Sequence, residues 1–139
     1  MRTIKIFSLL LMSMLIASCD TGDDLEDIFI SHPWTLSYFK EGVNITSPKN
    51  DAAYKMTFYD ETFVLTTKNG VTITGNWTAD NKDRTFVCSK VRVNGGSISG
   101  DSIAQKAEHI LKNARYYEGD TNWLQIQIQK NIFMQFHNK

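Results

Sequence analysis

The chain has 139 residues, 42% of them hydrophobic, and its 15 Lys and Arg balance its 15 Asp and Glu. That length suits one domain of ordinary size, and a formal charge of zero with no Lys/Arg cluster leaves nucleic-acid binding without electrostatic footing. Two cysteines are too few for a disulfide framework, so the domain must hold together by its core.

Arg2 and Lys5 precede an uncharged apolar stretch from Ile6 that closes in Leu15-Ile16-Ala17-Ser18-Cys19. A cationic start, a short apolar run and small residues before the break make a secretory signal. The run is shorter than the roughly 20 residues that span a bilayer core. The segment resembles the signal of bacterial lipoproteins, with Ile16 where Leu is usual. That resemblance implies cleavage before Cys19, lipidation of Cys19 and lasting membrane attachment through several acyl chains. Residues 1–18 are then the signal peptide. Losing Arg2 and Lys5 takes the mature charge to −2 over 121 residues.

Five of the eight residues from Asp20 to Asp27 are acidic, which reads as a solvated tether over residues 19–30. Acids after a lipidated cysteine resemble the surface-export signal of lipoproteins from anaerobic gut Gram-negatives. Asp20 directly after the cysteine instead resembles inner-membrane retention in enteric bacteria. The cluster Asp23, Asp24, Glu26 and Asp27 favours an outer-membrane lipoprotein at the cell surface over a periplasm-facing one.

Leu25 to Ile30 can form one helical turn ahead of Pro33. The single β-rich domain is expected over 31–139. Trp34 to Phe39 alternates, with Trp34, Leu36 and Tyr38 on one side, and predicts a first strand. Residues 41–53, with Gly42, Pro48, Asn50 and Asp51, read as a loop. Tyr54, Met56 and Phe58 mark a second strand, and Phe63 to Thr67 a third. Asn69-Gly70 between alternating runs signals a hairpin. The return strand sets Val71, Ile73, Gly75 and Trp77 on one face, and Gly75 suggests a bulge. Thr85 to Val93 is another strand, ended by Asn94-Gly95-Gly96. Ile103, Ala107, Ile110, Leu111 and Ala114 then fall on one face of a helix of about three turns, with Ser99 or Asp101 as its cap. Leu124, Ile126 and Ile128 alternate with glutamines, and Ile132, Met134 and Phe136 give the last apolar face. The fold class is mainly β (α+β): a small curled antiparallel barrel or sheet, with one helix before the last hairpin.

The Trp34 strand, Tyr54-Lys-Met-Thr-Phe58 and the run Gly70 to Gly75-Asn-Trp77 resemble the small lipocalin-like lipoproteins. The tail is similar to the META-domain family: a helix ending in Ile110-Leu111, then Tyr116-Tyr117-Glu118-Gly119-Asp120, Leu124-Gln-Ile126 and Met134-Gln-Phe136. Both resemblances imply a small curled antiparallel sheet. The glycine-cysteine-asparagine motif of many META domains is absent.

His32, His109 and His137 lie far apart with no metal-ligand spacing, so no metal and no cofactor are expected. Asp80, Asn81 and Asp83 sketch half a calcium loop without its glycine and distal Glu, and read as a solvated turn. Gly95 to Gly100 with Ser97 and Ser99 misses the nucleophile-elbow frame. It reads as a loop and helix cap whose amides can meet an anion. Cys88 reads as a small packed hydrophobe. Trp34, Trp77, Trp123, Tyr116 and Tyr117 either fill the core or line a cavity; being adjacent, Tyr116 and Tyr117 face opposite ways if extended. Asn44-Ile-Thr46 and Asn76-Trp-Thr78 match a glycosylation sequon without consequence in a bacterium. Asp101-Ser102-Ile103 resembles a short O-glycosylation motif of the same gut bacteria.

No catalytic residue is expected. The expected function is non-enzymatic binding of a protein, glycan or envelope component, with the membrane held through lipid on Cys19 and no nucleic-acid partner. A lipocalin-like carrier of a small apolar ligand is the second reading, which a filled core argues against. An enzyme of unrecognised type is the third.

Overall fold

The computed structural model describes residues 24–138. Its strands are β1 (Trp34–Glu41), β2 (Asn44–Thr46), β3 (Lys55–Phe58), β4 (Thr62–Thr66), β5 (Thr72–Asp80), β6 (Thr85–Asn94), β7 (Tyr116–Gly119), β8 (Trp123–Gln129) and β9 (Ile132–His137). One helix, α1 (Ser102–Asn113), falls before the last hairpin, as the periodicity requires. The strands form one antiparallel sheet in the order β2-β1-β3-β4-β5-β6-β7-β8-β9. β1 also pairs with β9, Thr35 opposite His137 and Glu41 opposite Ile132, so the sheet curls into a ring.

Alternation decides which side chains face inward. Met56, Phe63, Leu65, Ile73, Leu124 and Ile126 are all fully buried, while their neighbours in sequence stay on the wetter face. Two bulges adjust this pattern. At Gly75 the register of β5 against β6 shifts between Thr74 and Asn76, as the sequence suggests. A Cβ there would stand 2.7 Å from Phe63 Cε2, so the close approach requires glycine. In β1 the register against β9 shifts between Leu36 and Tyr38. The extra residue turns the strand over, so Phe39 is buried in the place expected for Tyr38.

The loop expected over 41–53 contains two short elements. β2 pairs only with the end of β1, and Asp51–Ala53 makes a 3-10 turn. Three residues are too few to show alternation among Gly42, Pro48 and Asn50. The Asn69-Gly70 hairpin is present, with Gly70 alone in the left-handed region and Thr67 Oγ1 donating to the Val71 carbonyl at 2.6 Å.

Each end of the ring is closed by a separate segment. At one end a π-helical turn, Glu26–Ile30, seats Ile28 and Phe29 at 1% and 0% exposure. The Phe29 ring centroid lies 5.0 Å from Phe58, 4.8 Å from Trp77, 5.5 Å from Phe86 and 5.1 Å from Tyr117. Trp34 Nε1 donates to the Ile28 carbonyl at 3.0 Å and fastens the turn to β1. Packing therefore begins upstream of the boundary at residue 31 that charge alone suggests, because Ile28 and Phe29 interrupt the acidic run. At the other end α1 buries Ala104, Ala107, Ile110 and Leu111 against β6, β8 and β9. Asp101, not Ser99, caps it by accepting from the Ala104 amide at 3.1 Å. Lys112 occupies the last turn, where a cation suits the helix dipole.

Candidate functional site

Side chains fill the inside of the ring, where a carrier would hold its ligand. Trp34, Trp77 and Tyr117 are part of that core, Trp123 is half-buried and Tyr116 is exposed. Tyr116 and Tyr117 do face opposite ways, because β7 is extended. Tyr117 keeps its hydroxyl satisfied by donating to Asn81 Oδ1 at 3.0 Å, and Arg84 stands 5.5 Å over its ring. Burial pushes its phenol up, and Arg84 partly offsets this.

Outside the ring, the start of α1 borders an open cleft of about 370 Å³. Thr46, Lys49, Tyr54, Lys68 and Ser102 line it. The Tyr54 hydroxyl is 2.9 Å from both oxygens of the buried Asp101, so the same carboxylate caps the helix and anchors β3. Burial first, then the hydrogen bond and charge of Asp101, push the Tyr54 phenol up to about 12. The Gly95–Gly100 segment is the loop the sequence predicts, but the helix cap is Asp101, just beyond it. Ser99 donates its amide to Ser97 Oγ, and Gln105 Nε2 binds the Ile98 and Ser99 carbonyls. Ser102, in the proposed modification motif, is exposed at the first helical position.

A second constellation joins residues that no motif connects. Ser37 Oγ on β1 hydrogen-bonds His137 Nδ1 on β9, and His137 Nε2 lies 3.9 Å from Asp51 Oδ2. The order is nucleophile, base, carboxylate. The last contact exceeds hydrogen-bond length and Asp51 is exposed, so the carboxylate orients the ring only weakly. Only the β1–β9 closure could have revealed this set. Nearby, the outer face of β8 and β9 carries a row of amides. Gln127 Nε2 donates to Gln125 Oε1 at 2.9 Å, and Gln125 Nε2 to Gln135 Oε1 at 2.8 Å. Tyr38 and Phe133 flank the row with ring centroids 6.1 Å apart.

The other sequence candidates fall apart in space. Cys19 lies outside the described residues. Cys88 is half-buried, and burial pushes its thiol up to about 12, the setting of a packed hydrophobe. His32 stacks edge-on against Trp34 at 4.5 Å, and His109 is exposed on α1 with Asn113 bonded to its carbonyl. Asp80 makes a local turn by accepting from the Lys82 amide at 2.8 Å. Among the described residues no three His, Cys, Asp or Glu side chains are grouped to hold a metal ion.

Residues 20–138 match DUF4847, a domain of unknown function. The chain is similar to the crystal structure of a DUF4847 family protein from Bacteroides vulgatus. The two are 28% identical with a TM-score of 0.66, over 84% of this chain and 98% of that one. It is also similar in fold to a protein from Burkholderia xenovorans solved by NMR. That match has 10% identity and a TM-score of 0.62, over 87% of this chain and 96% of that one. No curated protein matches the chain.

Proposed function

The chain belongs to the DUF4847 family, whose function is unknown, and we propose that it is an exported lipoprotein that binds a partner without catalysis. In this reading Cys19 carries the lipid, the outer membrane holds the protein at the cell surface, and recognition uses the outside of the ring. The observation that carries the binding mode is the filled interior. Phe29 closes the middle of an aromatic layer, and α1 closes the far end. A lipocalin-like chamber for an apolar ligand would require both to be displaced, which argues against the carrier reading. The short signal and the Ala17-Ser18-Cys19 site support the anchor. The closed sheet with a helix before its last hairpin supports architectural kinship with the lipocalin-like and META-like lipoproteins.

Protease accessibility on intact cells tests this, comparing the native protein with Cys19→Ala. Digestion of membrane-bound native protein on whole cells, with the variant released from the membrane fraction, is the expected result. Protection until the outer membrane is opened would overturn the surface placement. Membrane retention of Cys19→Ala would overturn the lipid anchor.

One observation favours a second reading, a serine hydrolase built on Ser37 and His137. Labelling of the native chain by a fluorophosphonate, abolished in Ser37→Ala, would establish it in place of the non-catalytic reading.

A further inference from the structure

Charge is sorted by the two ends of the ring. The end closed by the π-helical turn carries Asp60 and Glu61 between β3 and β4, Asp80 and Asp83 around the β5–β6 turn, and Glu118 and Asp120 around the β7–β8 turn. Asp24, Glu26 and Asp27 enter there too. Among described residues, the cations that join them in these turns are Lys82 and Arg84. The α1 end has the opposite character. Lys40 lies near the end of β1, Lys49 follows β2, Lys68 sits in the β4–β5 turn and Lys130 in the β8–β9 turn, with Arg92 in the last part of β6. Asp51, two residues after Lys49, is exposed and lies 3.9 Å from His137, and the other acids at this end are engaged. Glu41 pairs with Lys106, Glu108 with Lys112 at 3.5 Å, and Asp101 is buried beneath Tyr54. Among the described residues Lys40, Lys49, Lys68, Arg92 and Lys130 make no ion pair. A nearly neutral chain is thus an axial dipole, and its positive pole has unsatisfied charge.

We propose that the α1 end is the docking surface for an acidic polysaccharide. The inference deepens the binding-module reading and rests on it. The free cations come from five separate places, four around the rim and Arg92 on the outer wall of β4, β5 and β6, and do not converge on one point. That spacing suits a polymer with repeating carboxylates better than one compact anion. Val43 and Ile45, at 95% and 65% exposure on the β1–β2 hairpin, offer apolar ground at the same end for the C–H faces of sugar rings. The remaining large exposed hydrophobics among the described residues, Tyr59, Val87 and Tyr116, lie elsewhere, so nucleobases would find no exposed Trp, Tyr or Phe to stack on at this end. The chain enters at the acidic end, at Asp24, five residues after Cys19. Those residues reach at most about 18 Å when extended, so a lipid anchor keeps the basic end directed away from its own bilayer. An anionic bilayer is therefore the poorer occupant.

The test measures retention of the full mature chain on immobilised polygalacturonate, with dextran as the neutral control. Retention at low salt, a steep loss with added salt and no retention on dextran are expected. The triple variant Lys49→Glu, Lys68→Glu and Lys130→Glu should bind at least about tenfold more weakly, as loss of three counter-ion-releasing contacts predicts. Lys82→Glu, at the acidic end, should bind as the native chain does. All three rim lysines are exposed, and a thermal melt checks that the triple variant folds; single Lys68→Glu gives the same readout if it does not. No retention of the native chain, equal retention of the triple variant, or equal retention on duplex DNA would overturn the proposal. Binding to phosphatidylglycerol vesicles but not to polygalacturonate would also overturn it, in favour of a lipid surface. These outcomes are independent of cell location, so failure here is distinguishable from failure of the lipoprotein reading.

Discussion

Replacing Phe29 by Ala removes the ring on which the aromatic layer closes. Phe→Ala in a packed core costs about 3–5 kcal/mol, part of it transfer and part the cavity left behind. Phe29 has no exposure and meets four rings within 5.5 Å, two edge-on, one tilted and one stacked. Those contacts favour the upper part of the range, since each aromatic pair adds about 0.5–1.5 kcal/mol beyond buried area. The turn that carries Phe29 lies at the ring's end and can relax inward, which offsets some of the loss. We expect about 4 kcal/mol. Tryptophan fluorescence should report it, because Trp77 lies 4.8 Å away. In urea titration the midpoint should fall by about 2 M with the slope unchanged, at a slope of about 2 kcal/mol/M. The exposed neighbours Glu26→Ala and Asp27→Ala should each stay within about 0.5 kcal/mol. A chain beginning at residue 31 should lose at least as much as Phe29→Ala. If Phe29→Ala falls within about 1 kcal/mol of the native protein, the turn is tether and not core.

Tyr54→Phe strips Asp101 of one buried partner and should cost about 1–3 kcal/mol in the same titration. It should also change the alkaline limb. Folding raises this phenol from the ordinary 10 to about 12, so its contribution is whole below pH 10 and is lost as pH rises to 12. In a Cys88→Ala background, where the thiol raised to about 12 no longer adds its own decline, Tyr54→Phe should flatten stability against pH between those values. Cys88 in the native protein should react with iodoacetamide at pH 8 at least about 100-fold more slowly than in urea; equal rates would refute its packing. Gly119→Ala should destabilise by about 3 kcal/mol or prevent folding, since φ is +147° and a Cβ would stand 2.3 Å from the Trp123 carbonyl oxygen. A normal melt would mean that the β7–β8 turn yields easily.

Much of the ring was legible because its signals are local. Helical spacing from Ile103 to Ala114 placed α1, and Gly75 announced its bulge. What escaped depends on partners far along the chain. Tyr38 and Phe39 exchange faces because β9 imposes a bulge on β1, and nothing near residue 38 encodes that. Phe29 lies in an acidic stretch whose average composition reads as tether, yet its neighbours in space are Phe58, Trp77, Phe86 and Tyr117. The juxtaposition of Ser37, His137 and Asp51 arises from the same closure. Charge segregation was hidden by a total near zero, since only the topology says at which end each turn lies.

The seam between β1 and β9 sets the order in which this protein can be completed. Synthesis makes β1 first and β9 last, with nearly the whole domain between Thr35 and His137. Until the final segment is released, β1 keeps a bare edge and Leu36 and Phe39 lack their last cover. Such an edge is a template for pairing with other chains. A product that stops before Ile132 would also deprive β8 of a neighbour, leaving two sticky borders. The ring is therefore complete only when β9 has met β1, and the seam protects an edge that every earlier stage of folding leaves open.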